Sequence, residues 1–223
     1  MILKVNNLRK SYTSPDGKIQ QVVNISNFTI NSAEQIGLQG ESGSGKTTFL
    51  NLIAGILQAD EGEIWIDGAE MTSFSETERD ALRAKKIGYV FQTFNLLQGF
   101  SALENVLLGM SFGIGADHVY AEELLERVGL ADRKDYKPRQ LSVGQQQRVA
   151  VARALANRPK IVLADEPTGN LDRKRAFEAL NLIKEICAEN ETALLLVSHD
   201  QEILSRFEKI EDLANINQVS NQL

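Results

Sequence analysis

Apolar positions in this chain follow two periods. Between Ile2 and Leu8 they alternate with polar residues, and a second extended stretch runs from Phe28 to Leu38. Both read as strands, with Asp16-Gly17 and Asn31-Ser32 as turn signals. The short apolar run Ile36-Gly37-Leu38-Gln39 ends in a glycine-rich segment, Gly40 to Gly45, and the period then lengthens. Phe49, Leu50, Ile53, Ile56 and Leu57 recur at helical spacing. Glu63 to Ile66 reads as a strand closed by Asp67-Gly68. From about Ser101 to Lys137 the pattern is helical, clearest from Ala121 to Val128 and punctuated by Gly113 and Gly115. Strands return at Lys160–Ala164 and Thr192–Ser198, each after a helix-patterned segment.

Helices alternating with fully apolar strands predict an α/β fold around a mainly parallel sheet. An N-terminal antiparallel β subdomain precedes it, and a helical lobe is inserted. The expected division is one domain, with 1–92 and 138–223 forming the core and 93–137 the inserted lobe. No repeat or low-complexity tract interrupts it, and the last dozen residues are too polar to assign.

Composition narrows the function classes. With 43% hydrophobic residues the chain has material for a core, and a net charge of −6 speaks against a nucleic-acid protein with a basic face. The single cysteine, Cys187, excludes an intramolecular disulfide and suits a reducing cytosol. No apolar run is long enough to span a bilayer, and the first residues lack a signal-peptide core. The expectation is a soluble, cytoplasmic chain whose membrane role comes only through a partner.

Gly40-Glu41-Ser42-Gly43-Ser44-Gly45-Lys46-Thr47 fits the pattern G-x-x-x-x-G-K-[ST] between a strand and a helix, the context that gives the motif its meaning. Glycines let successive backbone N–H groups turn inward onto phosphate oxygens. The helix N-terminus adds its positive end. Lys46 is expected to reach the β- and γ-phosphates and the Thr47 hydroxyl to hold Mg²⁺; Thr48 belongs to the same nucleotide-binding run. The core is therefore a P-loop NTPase. Kinases, GTPases and ATPases all remain compatible with the loop alone.

A second acidic feature completes the chemistry. Ile161-Val162-Leu163-Ala164 ends in Asp165-Glu166. A carboxylate at a strand end is placed for Mg²⁺, and this role falls to Asp165. Glu166 beside it is the candidate general base that polarises the attacking water.

Leu141-Ser142-Val143-Gly144-Gln145 resembles the LSGGQ signature of ABC-type ATPases, and Gln146 to Leu155 continues as in that family. Further family elements follow in order. Gln92 matches the Q-loop glutamine, Asn170-Leu171-Asp172 the D-loop and His199 the switch histidine. Tyr12 stands where the adenine-stacking aromatic lies. The resemblance implies a homodimer sandwiching two ATP. Each nucleotide would touch the loop of one subunit and Ser142, Gly144 and Gln145 of the other, with Asp172 also among the nucleotide-binding residues. It also implies Lys46, Glu166 and His199 as catalytic residues, and Gln92 as a Mg²⁺ or water ligand linked to the helical lobe. Val143 departs from the family glycine. A β-branched residue there makes φ > 0 costly.

Single residues have plainer readings as well. His118 is expected on the surface of the lobe, Cys187 on the apolar stripe of the helix carrying Phe177, Leu180 and Ile183, and Trp65 packed on its strand. Phe94-Asn95-Leu96-Leu97 reads equally as a permease-contact loop and a self-buried one.

Together with Ser101 to Val106 and Ala164 to Asp172, that loop is similar to the lipoprotein-release and macrolide-export branch. This implies an ATPase subunit on the cytoplasmic face of the inner or plasma membrane, driving a separate transmembrane permease. The alternative is a soluble non-transport ABC ATPase, disfavoured by the single cassette and the acidic charge. No Asn-Lys-x-Asp guanine-reading element occurs, which disfavours a GTPase.

Overall fold

Two-sided burial decides which strands here read as unbroken apolar runs. The computed structural model describes residues 1–219. In it β1 (Leu3–Thr13) and β2 (Ile19–Ile30) form a hairpin, while β3 (Gln35–Gln39) leads through the glycine loop into α1 (Lys46–Ile53). β4 (Glu61–Ile66) and β5 (Ala69–Glu70) join the hairpin in an antiparallel sheet ordered β2-β1-β4-β5. After α2 (Glu76–Lys86) come β6 (Ile87–Val90), then α3 (Ala102–Ser111), α4 (His118–Arg127) and α5 (Val143–Leu155). The chain continues through β7 (Ile161–Asp165), α6 (Arg173–Glu189), β8 (Ala193–Ser198), α7 (Gln201–Leu204), β9 (Lys209–Asp212) and α8 (Leu213–Ile216). The central sheet is ordered β6-β7-β8-β3-β9, and every pairing in it is parallel.

The expected α/β architecture is what forms. Along β7, Ile161 and Leu163 face one core while Val162 and Ala164 face the other; Leu195 and Val197 oppose Leu194 and Leu196 on β8 in the same way. One core lies under α1 and the antiparallel sheet, the second under α3, α4, α5 and α6. With both faces covered, neither strand has a polar side to show.

Several boundaries differ from the sequence reading. β1 runs on to Thr13, and β2 starts at Ile19 rather than near Phe28, so the hairpin turns over Asp16-Gly17, where Gly17 has φ 81°. The stretch Phe28 to Leu38 is split between the two sheets at Asn31–Glu34. α2 carries no buried residue and so lacks the apolar stripe that announces a helix; its Ser75–Glu78 capping box starts it instead. Of the polar last dozen residues, α8 and an antiparallel bridge from Asn217 to Ile25 are formed, and 220–223 lie outside the described residues.

His118 is exposed at the start of α4, and Trp65 is half-buried, its indole N–H donating to Glu63 at 3.0 Å. Phe94 and Leu96 are buried whereas Leu97 and Phe100 are 42% exposed, so the apolar loop is divided between core and surface. Among the described residues, no helix is long and apolar enough to cross a membrane.

Candidate functional site

The glycine loop leaves the C-terminal edge of β3, the central sheet's usual position for a ligand crevice. Gly43 and Gly45 turn it with φ 80° and 98°, a region that side chains with a Cβ avoid. Gly40 is required for a different reason. A Cβ there would meet Ser44 Oγ at 2.8 Å and the Lys46 stem at 3.1 Å. The Lys46 ammonium is nearly buried and donates to the carbonyls of Gly40 and Glu41, each at 2.7 Å. Ser44 Oγ is buried with no partner. A caged cation and an orphaned hydroxyl beside a helix N-terminus fit a polyphosphate, which supplies acceptors for both.

Opposite the loop, β7 delivers Asp165 and Glu166, 8% and 9% exposed. Burial raises the Asp165 carboxyl above the ordinary carboxylate range; neighbouring Glu166 adds to the rise, while the Thr47 hydroxyl and the Lys46 charge oppose it. Glu166 adopts φ 45° and is held by two side chains from the end of β8. Ser198 Oγ donates to Oε2 at 3.2 Å and His199 Nδ1 lies 2.7 Å from Oε1. Lys46, Thr47, Thr48, Gln92, Asp165, Glu166 and His199 line a common cavity of about 510 Å³ with Ser42, Gly43, Gly45 and Val22. Thr47, Gln92 and Asp165 offer hard oxygen donors with room for water, the set that suits Mg²⁺ alongside substrate phosphates.

Other expected residues stand elsewhere. Tyr12 is on β1, 42% exposed and paired with Gln20, and does not line this cavity. Glu41 lines a second, polar cavity of about 480 Å³ on the β9 side of the loop and enters the site through its carbonyl. Asp172 caps α6 by accepting from Arg175 N at 3.1 Å. Next to it, Asn170 Nδ2 donates to the Gln92 carbonyl at 2.8 Å, tying the two loops together.

Ser142, Gly144 and Gln145 are not brought to the glycine loop. They line a separate cavity of about 170 Å³ at the start of α5, where Ser142 and Gln145 form a reciprocal capping box. Because Ser142 Oγ accepts from Gln145 N, its own proton stays available to donate. Val143 is the first residue of α5, 44% exposed, and has no positive φ, so the anticipated backbone cost does not arise.

The sequence reading missed Val22 and Asn170 as cavity-wall and loop-tying residues, and quoted Ser198 only as a neighbour of His199. Ser198 was within reach, since an end-of-strand hydroxyl beside a candidate base is a natural orienting group. Val22 had no local signal at all.

A lysine caged by its own loop, facing a buried carboxylate pair and an oriented histidine, defines a P-loop enzyme that splits a nucleoside triphosphate. Comparison with known proteins narrows the class. The profile of the ABC transporter family matches residues 23–169, and the chain belongs to that family as an ATP-binding cassette with ATPase chemistry. Similar proteins include the lipoprotein-releasing system ATP-binding protein LolD of Psychrobacter arcticus, 41% identical over 91% of each chain. LolD 2 of Rhodospirillum rubrum is 44% identical over 92% of this chain and 90% of its own. An uncharacterized ABC transporter ATP-binding protein of Methanocaldococcus jannaschii, MJ1508, is 42% identical over 94% of each. Among solved structures, the cassette MJ0796, a dimer in a post-hydrolysis state bound to ADP and Pi, aligns with TM-score 0.86 at 38% identity. The alignment covers 95% of this chain and 94% of that one.

Proposed function

We propose that two copies of this chain close around two Mg·ATP, hydrolyse them, and drive a separate membrane permease that extracts or exports lipoprotein-type cargo. The observation that carries the sandwich is Gly144. Nothing among the described residues demands a glycine there: its φ is not positive, and a Cβ would meet only Arg175 Cδ, at an ordinary 3.6 Å. The small residue therefore serves something outside the chain. A nucleotide held by a second copy supplies it, with Ser142 donating its free proton and the N-terminus of α5 adding its positive end.

Within one copy, roles follow from position. The backbone N–H groups of 40–45 and the Lys46 ammonium bind the phosphates, and Lys46 exchanges the Gly40 and Glu41 carbonyls for phosphate oxygens. Bound Mg²⁺ would neutralise phosphate charge, with Thr47, Asp165 and Gln92 as its protein ligands. Glu166 takes the proton of the attacking water. His199 and Ser198 keep its carboxylate aimed, and His199, mostly exposed, is free to turn to the γ-phosphate. Tyr12, outside the phosphate cavity, is assigned to stacking on the adenine beyond it, and Asp172 to nucleotide binding. Residues 93–137 act as the moving lobe against a core of 1–92 and 138–223, and half-exposed Leu97 and Phe100 offer the permease contact. The cargo reading rests on the LolD-type relatives, and the site of action is the cytoplasmic membrane face.

Glu166→Gln tests this directly. It should bind ATP and form a stable ATP-dependent dimer by light scattering, with turnover lowered about 10²-fold or more. A variant that binds ATP yet stays monomeric defeats the sandwich for the isolated chain. The transport reading is tested by the gene beside this one: a four-helix permease with a large extracytoplasmic domain supports it, and a many-helix importer with a binding protein overturns it.

A further inference from the structure

The segment after α8 docks on the free edge of β2 beside the glycine loop, and one side chain makes the junction. Asn217 Oδ1 accepts from Asn24 N at 2.7 Å, and Asn217 Nδ2 donates to the Val22 carbonyl at 2.9 Å. The next residue continues the pairing, with Gln218 N donating to Asn24 O at 2.7 Å and Ser26 Oγ donating to Gln218 Oε1 at 3.0 Å. This extends the antiparallel sheet by a short strap at an edge that would otherwise be open.

Val22 is where the strap meets the site. It lines the cavity that holds Lys46, Asp165 and Glu166, and also the polar cavity on the other side of the loop. Its carbonyl lies close to the loop on the side where a Gly45 side chain would stand. A Cβ on Gly45 would lie 2.9 Å from Val22 O and 3.8 Å from Asn217 Nδ2, so loop, strand and strap converge within a few ångströms. Gly45 is the residue from which α1 starts, and its position sets where the Lys46 and Thr47 backbone N–H groups point.

We infer that Asn217 is a positioning residue for nucleotide binding: by holding the Val22 carbonyl against Gly45, it keeps the wall and loop of the ATP cavity in their binding geometry. Asn217 touches no reacting atom, so its effect falls on affinity and not on the chemical step. The inference rests on ATP occupying the cavity over Lys46.

Three variants of the full chain test it, with KM for Mg·ATP, kcat and Tm measured on each. Asn217→Ala removes both side-chain bonds, and loss of the one to Val22 should raise KM about five-fold, the scale of a single net hydrogen bond, with kcat unchanged. Gln218→Ala removes the Ser26 bond from the same strap without touching Val22, and should leave KM at the wild-type value whatever its Tm. Asn217→Asp keeps the acceptor for Asn24 N, so the strap stays docked, and loses only the donor to Val22. Its KM should stay raised relative to wild type in 1 M salt, where the screening length is about 3 Å and the added charge is muted. An unchanged KM in Asn217→Ala, an equal rise in Gln218→Ala, or a wild-type KM for Asn217→Asp in high salt would each overturn the inference. Lys46→Ala separates the premise: if it binds ATP normally, the cavity assignment itself is wrong, whatever the strap variants do.

Discussion

Glu166 illustrates how much of this protein is decided at single residues. A non-glycine residue at φ 45° costs of the order of 1 kcal/mol or more, and such strain persists only where surroundings over-determine it. Here the backbone is fixed on both sides, Glu166 N donating to Val197 O at 3.0 Å and Gly169 N donating to Glu166 O at 3.1 Å. The carboxylate is thereby aimed into the cavity, not back along β7. Cys187 is the opposite case, a titratable group with no task. Burial pushes its thiol up to about 12, so the folded chain holds that proton after the unfolded chain has lost it. Stability should therefore fall as pH rises between about 9 and about 12. In the native protein at pH 8, iodoacetamide should leave Cys187 unlabelled, and labelling should become complete in denaturant.

At the scale of elements, α5 carries a different polar device at each end. Its first turn presents the capping box of Ser142 and Gln145. Near its other end Arg153 donates two bonds of 2.6 Å to the carbonyls of Phe94 and Asn95. Those two residues have φ 56° and 49°, a consecutive left-handed pair that needs such a clamp. Gly109 on α3 leaves room for the Arg153 stem, since a Cβ there would meet Arg153 Cγ at 2.9 Å. Arg153→Ala should free the turn, raising amide exchange in 93–97 at least about ten-fold while exchange in β7 and β8 changes little. Buried Asn105 keeps the following turn, donating to the carbonyls of Leu97, Phe100 and Ser101 and accepting from Leu97 N. The helical pattern marked α4, though the expected Ala121–Val128 forms as His118–Arg127. Neither the Arg153 clamp nor Asn105's place in the core could be read beforehand, because a lone Arg or Asn in a helix has no periodic signature.

For the whole molecule, the decisive fact is that the glycine loop and the Ser142–Gln145 turn line separate cavities and do not meet in one chain. Gly144→Ala separates stability from assembly. In the isolated chain it should be neutral or stabilising by up to about 1 kcal/mol, since alanine favours a helix over glycine and nothing crowds the added methyl. In the proposed sandwich the methyl would meet the partner's phosphate, so turnover and the ATP-dependent dimer should nevertheless drop about ten-fold or more. Equal losses of Tm and activity would show instead that the glycine serves the chain's own fold.

The sequence alone determined what local chemistry can specify. The G-x-x-x-x-G-K-T loop needs its glycines to turn, β7 and β8 are apolar throughout because both faces are covered, and the acidic pair must end its strand to reach water. Those demands are written in consecutive residues. Only the tertiary structure decided which distant groups share a cavity. Val22 joined the wall of the cavity over Lys46, Tyr12 stayed outside it, Ser198 and His199 closed on Glu166, and Asn217 returned to bond Val22 and Asn24. Such contacts depend on how sheets stack and where edges lie open, and a one-dimensional pattern carries no record of either.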